Sequence, residues 1–155
     1  LEDWAKAPVN IEVINTQQIR GIMKNESENL RLINVWATWC GPCIMELPDF
    51  IIIDRMYRGR DFEFIAISAD KLSKTDKALD FLKKIEASNT NYLYGGDNQY
   101  DLIEAIDNEW EGALPYTALI EPGGNIIFRE QGTIQPSELK KKIVNYLGRY
   151  YADNK

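Results

Sequence analysis

Cys40 and Cys43 are the only thiols in this chain, and the two residues between them give the one spacing that supports reversible dithiol chemistry. Thiols so placed at the start of a helix both lie in its first turn, close enough to form a small disulfide ring. There the unpaired N–H groups and the helix dipole stabilise a thiolate on the first cysteine. The run Leu32-Ile33-Asn34-Val35-Trp36-Ala37 reads as a buried strand, and the run from Cys43 to about Arg58 reads as a helix. A dithiol at such a strand-to-helix junction is a redox site.

Other uses of the pair fit less well. A structural zinc site needs four ligands, and the chain has no histidine and no third cysteine. No metal ligand set is therefore expected. A purely structural bridge closing so short a loop would remove little unfolded-chain entropy. A peroxidatic cysteine at Cys40 would need Pro-x-x-x-Thr/Ser ahead of it, and Ile33 and Ala37 stand at those positions.

The 155 residues are expected to form one domain, large enough to bury roughly 70% of the unfolded surface without covalent staples. Eighteen basic residues against 24 acidic ones give a net charge of −6, which disfavours nucleic acid and anionic membranes as partners. Proteins are the expected partners. No apolar run approaches the ~20 residues of a membrane span, and the segment from Leu1 lacks both an initiator methionine and a signal-peptide h-region. The expectation is a soluble module cut from a longer exported chain, or a mature form, with membrane anchoring only through a segment absent from this sequence.

The elements needed to position the dithiol follow an alternating α/β order. Ile11–Ile14 reads as an edge strand, with Thr16 as the cap of a helix carrying Ile19, Ile22 and Met23. The dithiol helix should face inward through Leu47, Phe50, Ile53 and Tyr57 and kink at Pro48. Phe62–Ser68 reads as an interior parallel strand beside 31–37. Ser73-Lys74-Thr75-Asp76 opens a helix with Ala78, Phe81, Leu82 and Ile85 on one face. A short stretch, Tyr92-Leu93-Tyr94, and a helix from about Asn98 presenting Ile103, Ile106 and Trp110 complete a 70–110 segment larger than one crossover requires. Residues 116–121 and 125–129 form a hairpin around Pro122-Gly123-Gly124. A last helix from Pro136 carries Leu139, Ile143, Leu147 and Tyr150, with Lys140-Lys141-Lys142 on its solvated side.

This order, with Trp39-Cys40-Gly41-Pro42-Cys43 at the first junction, resembles the thioredoxin fold. Asn34 through Pro48 is more closely similar to the TlpA and ResA branch of extracytoplasmic thiol-disulfide oxidoreductases. Leu114-Pro115-Tyr116-Thr117 resembles the Pro-x-Thr strand of that branch, and the 70–110 segment falls where it carries its central insertion. The likeness starts near Pro8. It implies an α/β thioredoxin-like fold: a central mixed β-sheet flanked by helices on both faces, with an extra helical insertion before the cis-proline strand.

The resemblance also implies roles. Asn34 stands six residues before Cys40, where thioredoxin proper has a buried aspartate. The TlpA/ResA branch instead has a glutamate three residues after the second cysteine, here Glu46, as a proton carrier; the plainer reading of Glu46 is a solvated second-turn acid. Pro115 is expected to be a cis-proline facing the dithiol, leaving Leu114 to pair with substrate. Trp39, Gly41 and Pro42 are expected to line the substrate site, with Trp39 and Trp36 packed around it, Trp36 as core rather than contact. Ala113, two residues before Pro115, stands where many relatives have glycine, and Ile44 replaces a common basic residue.

Cys40 is then the expected nucleophile and Cys43 the resolving thiol. Pro42 contributes no N–H and no histidine lies between the thiols, so the pair is expected to be reducing. The reading is a protein-disulfide reductase with no cofactor beyond the Cys40–Cys43 pair, working in the periplasm or another extracytoplasmic space. Its expected partners are a disulfide-containing protein and an upstream thiol reductant. The alternatives are a thioredoxin-fold binding or scaffold domain of a larger envelope protein, or a cytosolic general thioredoxin, the last disfavoured by Asn34 and the insertion.

Overall fold

A computed structural model describes residues 7–153, and side chains as far as residue 148. The ends of the expected 1–155 unit, and the side chain of Tyr150, lie outside the described residues. Six strands form one mixed sheet in the order β1-β4-β3-β2-β5-β6. β1 (Glu12–Ile14), β4 (Thr90–Tyr94), β3 (Phe62–Ser68) and β2 (Leu30–Trp36) run parallel, while β5 (Tyr116–Ile120) and β6 (Ile126–Gln131) add antiparallel strands beyond β2. The central place of β2 explains its nearly unbroken apolar sequence, since both of its faces are covered.

Side chains alternate along each strand and so divide between two cores. Leu30, Leu32 and Trp36 of β2 join Phe62, Phe64 and Ala66 of β3 on one face, covered by α2 (Gly41–Tyr57), α3 (Thr75–Lys84) and α5 (Pro136–Asp153). Ile33 and Val35 join Ile65 and Ile67 on the other, covered by α1 (Thr16–Lys24) and α4 (Gln99–Ile106). The helices lie on both faces of the sheet, as the thioredoxin-like reading expects.

The 70–110 segment folds as a 3-10 turn (Leu72–Lys74), α3, β4 and α4. It extends the sheet: β4 pairs with β3 on one side and with the short edge strand β1 on the other.

Local details correct the sequence reading. Asn15, not Thr16, caps α1: its Oδ1 accepts the Gln18 N–H, and Gln18 Oε1 accepts the Asn15 N–H, both at 2.9 Å. At the start of α3 the N-cap is Lys74, with no side-chain capping bond, and the Thr75 hydroxyl donates back to the Leu72 carbonyl at 2.6 Å. Pro48 lies inside α2, which runs as one helix from Gly41 to Tyr57. Its inward residues Leu47, Phe50, Ile53 and Tyr57 are buried as expected, and Glu46 and Asp54 are buried beside them. In the hairpin turn Gly124 has φ +96°, and a Cβ there would meet the Lys24 carbonyl oxygen at 2.9 Å, so only glycine fits.

Candidate active site

β2 ends at Trp36, and the chain turns through Ala37-Thr38-Trp39 into α2. Cys40 is the N-cap of that helix. Cys40 and Cys43 are joined as a disulfide with Cα atoms 5.3 Å apart. The Cys43 N–H donates to Cys40 Sγ at 3.3 Å, one of the free amide groups of the first helical turn directed at the sulfur that would carry a thiolate. Cys40 retains 6% of its accessible surface and Cys43 1%, so the first sulfur is the more reachable one. Gly41 and Pro42 are exposed between them.

The turn ahead of Cys40 is fixed by a group that sequence reasoning missed. Asp70, 2% exposed, stands just beyond β3. It accepts the Thr38 N–H at 3.0 Å, the Thr38 hydroxyl at 2.6 Å and the Ser68 hydroxyl at 2.6 Å. A carboxylate with several donors is a strong anchor. It holds the turn in which the Cys40 N–H donates to the Ala37 carbonyl at 3.1 Å. The available signal was position: an acid at the carboxyl end of an interior parallel strand lies where α/β sheets gather their sites.

Glu46 is not a solvated acid. It is 8% exposed, and its Oε2 accepts the Ile134 N–H at 2.8 Å. Its Oε1 is buried with no hydrogen-bond partner among the described residues. Asn34 is close, but its amide donates instead to Thr117 Oγ1 at 3.2 Å and more weakly to the Tyr116 carbonyl at 3.4 Å. Burial pushes the Glu46 carboxyl from 4.5 up to about 7; the Asp49 carboxylate adds to the rise, while the Ile134 N–H and the nearby Asn34 amide oppose it. Such a group exchanges its proton near neutral pH.

The Leu114–Pro115 peptide is cis. Tyr116, the next residue, pairs with Val35 in the antiparallel β2–β5 register, so the cis peptide lies at the end of the sheet from which β2 leads into Cys40. Leu114 is half-buried and packs on the apolar cluster that includes Ala37, Cys40 and Cys43. Leu114 also packs on the apolar cluster of the opposite face, and Pro115 is buried. The two tryptophans separate. Trp36 is fully buried against Phe81, with ring centroids 5.5 Å apart, whereas Trp39, next to Cys40 in the chain, is 70% exposed. Trp110 belongs to the core: its indole N–H donates to the Ala113 carbonyl at 2.8 Å, and its ring lies 4.9 Å from that of Tyr116.

Fold and site together define a thioredoxin-like protein with a redox-type Cys-x-x-Cys helix start. The chain belongs to the Redoxin family, whose model matches residues 24–146. Among curated proteins it is 28% identical over 116 residues to the thiol:disulfide interchange protein HelX of Rhodobacter capsulatus, covering 74% of this chain and 58% of HelX. It is 28% identical over 109 residues to the thiol-disulfide oxidoreductase ResA of Oceanobacillus iheyensis, covering 70% of this chain and 53% of ResA. The chain therefore spans a little over half the length of these relatives. Among solved structures, a thioredoxin-family thiol:disulfide interchange protein from Chlorobium tepidum matches with a TM-score of 0.64 at 21% identity, covering 82% of this chain and 83% of the other. StoA from Bacillus subtilis matches with a TM-score of 0.60 at 20% identity, covering 74% and 82%. These structural likenesses concern the fold.

Proposed function

We propose that this protein is a thiol-disulfide oxidoreductase that reduces protein disulfides through a Cys40/Cys43 cycle. The observation that carries this reading is the Cys40–Cys43 disulfide at the N-cap of α2, at the end of the sheet where the register of β2 and β5 also puts the cis Leu114–Pro115 peptide. In the reduced protein the Cys40 thiolate attacks one sulfur of a substrate disulfide, forming a mixed disulfide and releasing the other substrate sulfur as a thiolate. Cys43 gives up its proton and attacks Cys40 Sγ, which closes the Cys40–Cys43 bond and frees the second substrate thiolate. The substrate gains two electrons and two protons, and an upstream thiol reductant returns the pair to the dithiol.

Glu46 is the proton carrier in this reading. It sits three residues after Cys43, on the same face of the helix, and its unpartnered Oε1 is available to take the proton Cys43 releases. Trp39, Gly41 and Pro42 form the exposed rim on which substrate rests. The reducing direction is supported by the single N–H donated to Cys40 Sγ and by the lack of any histidine in the chain. An oxidising envelope compartment, such as the periplasm, is where a protein-disulfide reductase of this kind would work; the likeness to HelX and ResA supports that placement. Among the described residues no helix is long and apolar enough to cross a membrane.

The test is reduction of insulin disulfides with dithiothreitol as electron donor. The protein should accelerate the reaction well above dithiothreitol alone, and Cys40→Ser should abolish the acceleration. A wild-type rate equal to the background would leave a binding or scaffold domain instead.

A further inference from the structure

The loop from Asp107 to Leu114, which leads from α4 into the cis peptide, is held by polar groups that the dithiol cycle does not use. Asp107 is 6% exposed. Its carboxylate accepts the Tyr116 hydroxyl at 2.7 Å, Arg129 Nε at 2.6 Å and the Glu109 N–H at 3.0 Å. Tyr116 directly follows Pro115, and Arg129 stands on β6 opposite Ala118 of β5. The Trp110 indole holds the Ala113 carbonyl, and the Gly132 N–H donates to the Pro115 carbonyl at 2.8 Å. Backbone on both sides of Leu114 is therefore pinned, while the peptide groups of Leu114 take no part in these bonds.

Resting on the function proposed above, we propose that Asp107 is the positioning residue for the substrate-binding backbone. By clamping Tyr116 to Arg129 it fixes Leu114–Pro115 in the register at which an extended segment of a disulfide-containing polypeptide pairs. The network is separated from the redox chemistry by the sheet itself. Tyr116 and Trp110 pack in the core under α1 and α4, and the cysteines in the opposite core under α2. Burial alone would raise the Asp107 carboxyl, but the hydrogen bonds from Arg129 and Tyr116 outweigh it and hold the group below its usual value. The clamp is thus ionised throughout the range in which thiols exchange. Asparagine replaces one of the two acceptor oxygens by an NH2 donor, so the side chain can no longer accept from Tyr116, Arg129 and the Glu109 N–H together, and the backbone around Leu114 loosens.

The experiment compares the wild-type chain with Asp107→Asn in steady-state insulin reduction and in equilibration with glutathione. Loss of a hydrogen-bonded charge in the clamp should raise KM for insulin about tenfold, with kcat and the glutathione equilibrium constant each within about twofold of wild type. An unchanged KM would overturn the proposal. So would parallel losses in KM, kcat and the glutathione equilibrium, which report a general loss of structure. Should Asp107→Asn fail to fold, Tyr116→Phe and Arg129→Lys decide instead, since both keep the buried carboxylate. Tyr116→Phe and Arg129→Lys should each raise KM severalfold, since each removes a bond of the clamp; wild-type KM in both would overturn it. A wild-type protein that reduces no insulin defeats the underlying functional reading, an outcome distinct from a failure confined to the variants.

Discussion

Replacing Glu46 by glutamine keeps the shape of the side chain and removes its charge, and the structure sets the size of the effect. A carboxyl raised from 4.5 to about 7 by burial is disfavoured as an anion by about 3 kcal/mol. Between those two values the folded protein still holds a proton that the unfolded chain has released. Stability therefore falls as pH rises through that window, and the loss is complete above about pH 7. The glutamine variant has no such titration. Urea unfolding of both proteins should show the stability difference shifting toward the variant by about 3 kcal/mol between pH ~4.5 and pH ~8, other titrating groups cancelling in the difference. The dithiol should respond as well. Two groups at i and i+3 on a helix lie about 6 Å apart, and a unit charge there is worth about 2–3 kcal/mol at an effective dielectric of about 20. Glu46→Gln should lower the thiol titration of the reduced pair, followed by thiolate absorbance, and slow the resolving step in single-turnover disulfide reduction. A stability difference that does not change with pH would refute the burial argument. Coincident thiol titrations and rates would refute any coupling of Glu46 to the pair.

The remaining predictions concern the pair and its support. Alkylation of the reduced protein at neutral pH, mapped by peptide mass, should modify Cys40 well before Cys43, following exposure and thiolate fraction; labelling of Cys43 first would reverse the assignment. Equilibration against glutathione or dithiothreitol should place the pair on the reducing side of ~−200 mV, and a strongly oxidising value would indicate an oxidase. Asp70→Asn weakens the anchor on Thr38 and Ser68 and should cost about 1.5–3 kcal/mol in urea unfolding; an effect below ~0.5 kcal/mol would show that the turn before Cys40 does not depend on it.

The parts of this molecule that could be read from sequence are those written in local pattern. Phe62–Ser68 is mostly apolar and rich in β-formers and is observed as β3 with those bounds. The Cys-x-x-Cys pair sits at the helix start its flanks require, and the hairpin turns at Pro122-Gly123-Gly124. What the pattern could not give is which distant polar groups meet. Glu46 looks solvated in a helix listing because its partner, Ile134, is 88 residues away. Nothing near Thr38 announces Asp70, and Asp107, Tyr116 and Arg129 come together only when α4, β5 and β6 are in place. The pairing of β1 with β4 is non-local in the same way, since Glu12 aligns with Tyr92.

Trapping on Cys43→Ala tests the central claim most directly. With the resolving thiol removed, attack on a disulfide substrate must stop at the mixed disulfide on Cys40. Incubating the reduced variant with a disulfide-bonded polypeptide and analysing it by non-reducing electrophoresis and peptide mass should give a 1:1 adduct linked through Cys40 and released by dithiothreitol. A variant that forms no adduct while remaining folded, by the criterion of a cooperative unfolding transition, would contradict the account.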